Sequence, residues 1–87
     1  MTNGEWEVHI HRSIGKVVYA LPKQLALLIR NTIIGVQKNP YKSSSQPVED
    51  LYNTYALFVE DYRIVYEIQE EKRLIKVAMV NLSLAED

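Results

Sequence analysis

The chain contains no cysteine, which excludes disulfide stapling, a thiolate metal site and a cysteine nucleophile together. It also lacks any apolar run long enough to span a bilayer. At the N-terminus, "MTNGEWEVHIHRSIGK" spreads its charges where a secretory leader would keep an apolar stretch. The expectation is a cytoplasmic protein with no membrane partner. A basic excess is missing too: ten Lys and Arg stand against eleven Asp and Glu, for a net charge of -1. Binding to nucleic acid by overall charge is therefore excluded, and only a local basic patch could serve. There is no internal repeat, and no low-complexity tract longer than the serine run of "YKSSSQPVED". No metal or cofactor is called for. His9 and His11 share strand spacing but have no evident third ligand, so solvent-facing histidines on an edge strand are the simpler reading.

What is present is enough for one core. At 87 residues, with 47% apolar and 24% charged residues, the chain fits a single domain over 1–87. "EWEVHI" alternates, with Trp6, Val8 and Ile10 on one face, and predicts a first strand. From Ser13, read as an N-cap, Ile14, Val17, Val18 and Leu21 recur at helical spacing, although Gly15 weakens the segment. "LPKQLALLIRNTIIGVQKNP" predicts the clearest helix. Pro22 opens it, Leu25, Leu28, Ile29, Thr32, Ile33 and Val36 form its stripe, and Asn39-Pro40 stops it. The break at Leu21-Pro22 makes the two helices an αα-hairpin. "YKSSSQPVED" reads as a loop. "YALFVE", "YRIVYEIQ" and "RLIKVAMVNL" read as three strands joined by short turns, the middle one central because it is apolar on nearly both faces. The prediction is an α+β fold of order βααβββ, two N-terminal helices packed on a mainly antiparallel four-stranded sheet.

That order, with "LPK" opening the long helix, "NP" closing it, and "DYRIVYEIQEEKRLIKVAMV" supplying a tyrosine-arginine strand, a charged turn and a last strand, resembles the RelE/ParE superfamily of toxins from type II toxin-antitoxin systems. The resemblance spans roughly Trp6 to Val80. It implies a toxin neutralised by a cognate antitoxin protein, with one of two targets. RelE-like members cut mRNA on the ribosome without a metal or other cofactor, by in-line attack of a ribose 2′-hydroxyl, whereas ParE-like members poison DNA gyrase. One fold serves both, so fold alone does not choose.

Metal-free RNA cleavage needs cations at the phosphate and a proton-transfer group. By the resemblance, Arg63 in "DYRIVY" is the catalytic, phosphate-binding candidate; its bland alternative is a sheet-face pairing with Glu67. Arg73 and Lys76 are the RNA-binding candidates, provided that the sheet places them beside Arg63. The preceding strand, "YALFVE", carries none of the lysines that ribosome-dependent members often place there. Asn81, Leu82, Ser83 and Leu84 stand where the family commonly has a glycine, basic residues and soon a tyrosine or histidine. The resemblance thus implies an mRNA endonuclease with an incomplete residue set, or else a gyrase-directed or catalytically degenerate member that binds an antitoxin.

Other residues have structural readings first. Six tyrosines could stack on bases, but Tyr62 and Tyr66 share a face with Ile64 and should pack, leaving loop residue Tyr41 as the informative one. Arg12, Lys16, Lys23, Arg30, Lys38 and Lys42 fall in the helical half, while most acids follow Glu49, an asymmetry that suits RNA, an acidic partner segment or merely solvated helices. An antitoxin helix or strand would lie across the apolar helix face or the sheet groove.

Overall fold

In the computed structural model, residues 6–41 and 44–83 are described. Their elements run β1 (Glu7–Ile10), α1 (Arg12–Tyr19), α2 (Lys23–Lys38), β2 (Gln46–Pro47), β3 (Thr54–Val59), β4 (Tyr62–Gln69) and β5 (Leu74–Leu82), with a 3-10 turn at Glu70–Lys72 between the last two. The sheet order is β1-β5-β4-β3-β2. β1 pairs parallel to β5 and every other neighbour is antiparallel, so β4 is central, as its apolar sequence requires.

Two local expectations need correcting. The sheet has five strands among the described residues rather than four, because Gln46 and Pro47 leave the expected loop to pair with Ala56 and Tyr55. A proline is tolerated there because an edge strand can spare the N–H that proline lacks. The first helix begins before Ser13, and its N-cap is His11, whose backbone is extended and whose Nδ1 accepts from the Ser13 N–H at 3.1 Å. An imidazole nitrogen supplies the acceptor usually given by a short hydroxyl or amide side chain. At the other end of α2 the expected stop holds: the helix ends at Lys38, and the Asn39 N–H closes it onto the Gly35 carbonyl.

One face of α2 makes the core. Ile29 and Ile33 are buried against Ile64, Val77 and Val80 of the sheet, with Ile14 and Val18 of α1 packed at the margin. Val36 joins Trp6, Leu57, Tyr66, Ile68 and Ile75. Burying each such side chain contributes about 1.5–3 kcal/mol, which outweighs the cost of a glycine in α1. Leu28, expected in the stripe, is 44% exposed, and Thr32 turns its hydroxyl back to the Leu28 carbonyl at 2.8 Å.

Because Ile64, Tyr66 and Ile68 face this core, the period of two sends Arg63, Val65 and Glu67 to the opposite face, which neither helix covers. The β4–β5 register slips between Val65 and Tyr66: Val65 opposes Met79 and Tyr66 opposes Val77, so Ala78 is the extra residue of a bulge.

Candidate functional site

The row at the β3–β4 turn end of the open face consists of Phe58, Arg63 and Asn81, since Arg63 opposes Phe58 on β3 and Asn81 on β5. Directly opposed residues hold their Cβ atoms about 5 Å apart, so the three side chains rise together. Phe58 is 52% exposed and Asn81 is exposed, while Arg63 is half-buried between them. Arg63 has no ion-pair or hydrogen-bond partner among the described residues. The alternative of a pairing with Glu67 is therefore not realised. The guanidinium offers five donors in a fixed fork, a geometry that matches the oxygens of a carboxylate or phosphate.

The other two cationic candidates lie elsewhere. Lys76 opposes Glu67 and His9, on the face of Arg63 but four residues along β4, about 13 Å away at ~3.3 Å per residue. Arg73 follows the 3-10 turn in a left-handed backbone conformation, φ 52°, and lays its guanidinium over the Trp6 ring, 4.4 Å from the centroid. It sits about seven residues of strand, or ~23 Å, from Arg63. The condition that either cation stand directly beside Arg63 is not met.

That far end of β4 is an aromatic stack. Trp6 meets Tyr41 edge-on at 6.4 Å, Tyr41 meets Tyr55 at 6.1 Å, and Tyr55 stacks on Tyr66 at 6.0 Å. Two of their polar tips are bonded: the Tyr66 hydroxyl donates to the Pro40 carbonyl at 2.8 Å and lies 2.6 Å from Ser45 Oγ. Tyr41, although 45% exposed, donates to the Glu70 carboxylate at 2.6 Å. That bond, aided by burial, pushes its phenol up to about 12, too high for proton transfer near neutrality. Tyr62 is half-buried and packs on the core.

The histidines separate. His9 Nε2 lies 3.3 Å from Glu7 Oε2, whereas His11 caps α1. No group of three metal-ligating side chains occurs among the described residues, and no helix among them is long and apolar enough to cross a membrane.

On the helical side, α1, α2 and the end of β1 enclose an apolar groove of about 480 Å³, lined by Ile10, Ile14, Val18, Leu21 and Leu27, with Lys23 and Arg30 along it. The stretch from 8 to 48 holds no Asp or Glu, and all six bases named in the helical half; of those bases, Lys42 lies outside the described residues, as does Leu84 at the other end.

Sequence reasoning did not single out Phe58, and it named Asn81 only as standing where the family commonly has a glycine; their places beside Arg63 depend on register. The signal available was the alternation of "YALFVE": once Leu57 is placed inward, Phe58 must point out.

The comparisons with known proteins agree with this architecture. Residues 8–81 match the family model described as the ParE toxin of type II toxin-antitoxin systems, parDE, and the chain belongs to that family. Among solved structures, the isolated Escherichia coli RelE toxin superposes with a TM-score of 0.81 at 15% identity, covering 94% of this chain and 88% of that one. The archaeal RelE–RelB complex from Pyrococcus horikoshii gives 0.81 at 19%, covering 92% and 97%. The RelBE2 toxin-antitoxin complex of Mycobacterium tuberculosis gives 0.75 at 18%, covering 90% and 91%. These likenesses show a RelE-like fold. No curated protein matches by sequence. The chain is thus a toxin of a toxin-antitoxin system.

Proposed function

We propose that this toxin acts on translation by engaging mRNA at the open face of its sheet, with Arg63 as the phosphate ligand. The observation that carries this reading is a half-buried arginine on the open face with no protein acceptor among the described residues. At a phosphate under in-line attack by a ribose 2′-hydroxyl, its fork neutralises the charge that builds on the non-bridging oxygens. Lys76, farther along the same face, meets another phosphate of the strand, while Arg73 stays on Trp6. No histidine, lysine, tyrosine or carboxylate shares the row of Arg63, so proton transfer falls to groups outside that row, and cleavage is slow relative to binding. Cleavage of a defined mRNA on programmed ribosomes, mapped by primer extension, tests this. Arg63→Ala should abolish it while leaving the fold intact; equal cleavage by the variant overturns the assignment.

A second reading, a ParE-like toxin directed at DNA gyrase, is favoured by the family match itself and by the lack of a proton-transfer group beside Arg63. It is separated by which process stops first in producing cells, DNA replication or translation. Under either reading the cognate antitoxin occupies the groove between α1 and α2. The apolar floor and acid-free surroundings suit an amphipathic helix with acidic flanks, one of which reaches Arg30. Arg30→Glu should weaken that complex and leave target action unchanged.

A further inference from the structure

The residues around Arg63 supply more than a charge. We propose that Phe58 and Asn81 complete a nucleotide site around it, Phe58 as a stacking platform for one base and Asn81 as a reader of base edges; this rests on the reading of the open face as an RNA surface. Three observations converge. Phe58 is the only phenylalanine, stands on a strand and yet is 52% exposed, although its neighbour Leu57 is buried in the core. It directly opposes Arg63, and Arg63 directly opposes Asn81, so ring, cation and amide form one line across three adjacent strands. Beside that line the open face is apolar, with Val65 and Ala56 buried and Met79 42% exposed.

The chemistry of that line matches one kind of ligand. A flat ring on a sheet surface offers a π-face to any unstacked base. The guanidinium takes the phosphate, and the amide of Asn81 has both a donor and an acceptor for a base edge. A protein partner would use the ring and set a carboxylate on the guanidinium, and that occupant is separated from RNA by the binding test below. Double-stranded nucleic acid is excluded because its bases are not presented to a flat sheet. The ligand is therefore single-stranded RNA, gripped at one nucleotide by stacking on one side of its phosphate contact and by edge recognition on the other.

The test is direct binding of a short fluorescently labelled single-stranded RNA of mixed sequence to the purified protein, by anisotropy at several salt concentrations. Variants Phe58→Leu, Phe58→Trp, Asn81→Leu and Arg63→Gln are compared with the parent, and each is checked for an unchanged melting transition. Phe58→Leu, which keeps apolar bulk and removes the π-face, should weaken binding about ten- to a hundredfold. Phe58→Trp should restore or strengthen it. Neither should alter the salt dependence, whereas Arg63→Gln should reduce the slope of log K against log salt by about 0.7. Asn81→Leu should change the preference among homopolymeric RNAs more than the affinity for the mixed strand. Unchanged binding by Phe58→Leu alongside a working Arg63 effect overturns the nucleotide site and leaves the phosphate assignment standing. Loss of antitoxin binding with RNA binding intact would make Phe58 a protein contact and also overturns it. No RNA binding by the parent protein overturns both this inference and the reading beneath it.

Discussion

The two ends of β4 carry similar raw material, an arginine among aromatic rings, and use it in opposite ways. At one end Arg73 holds its guanidinium over Trp6, and the hydroxyls of Tyr66 and Tyr41 are hydrogen-bonded to Pro40, Ser45 and Glu70. At the other, Arg63 has a ring and an amide for neighbours and no acceptor among the described residues. The lesson is that residue type says little about role, and that partner accounting says much. Where polar groups are already answered from within the chain they hold the fold, and where they are not they wait for something else.

That contrast can be broken by substitution. The largest effect belongs to the satisfied end: Tyr66→Ala removes a fully buried ring and should cost about 3–5 kcal/mol in a denaturant titration. A loss below ~1 kcal/mol would mean that the aromatic stack is not structural. Tyr66→Phe keeps the ring and removes only the hydroxyl that ties Pro40 and Ser45 to the sheet; about 1–2 kcal/mol should be lost. Arg73→Ala should cost less, of the order of 0.5–1 kcal/mol, by giving up its place on Trp6.

At the open end the order of effects reverses. Arg63→Ala should change the unfolding free energy by no more than about 0.5 kcal/mol, and yet relieve growth arrest on overproduction. A strongly destabilised Arg63→Ala would place this residue with the structural set and erase the comparison.

The smallest effect is visible only in alkali. Tyr41 has a folded pKa of about 12 against an ordinary value of 10, so its bond to Glu70 favours the folded state fully below pH 10. Between 10 and 12 the unfolded chain loses its phenol proton first, and that contribution fades as pH rises through the folded value. Melting temperatures measured across this window should fall more for the parent protein than for Tyr41→Phe. Parallel curves would mean that the bond to Glu70 is not made in solution.

Much of this was legible in the sequence. The strong 3.6-residue period of "LPKQLALLIRNTIIGVQ" and the β-branched, aromatic runs after residue 54 led to the right elements, because burial of whole faces dominates their energetics. "DYRIVYEI" led to the right family. The short strand at Gln46–Pro47 was not legible, since two edge residues owe their pairing to β3 and to nothing in their own pattern. His11 was missed as a cap because an imidazole seldom takes that place. Neither the distance from Arg63 to Lys76 nor the seat of Arg73 on Trp6 could be read. Those depend on strand register, including the bulge at Ala78, and register is a property of pairs of strands. Phe58 and Asn81 became visible as neighbours of Arg63 for the same reason.

The parallel pairing of β1 with β5 sets a schedule for the molecule. Among the described residues β1 pairs with β5 alone, and every other described element lies between the two in the sequence, so β1 gains its sheet partner only after all of them are in place. A contact of such separation is slow to form and cannot form on a partial chain. Asn81, on that same last strand, reaches the side of Arg63 only then. The open-face row of Phe58, Arg63 and Asn81 is therefore assembled only when the most distant pairing of the sheet has been made.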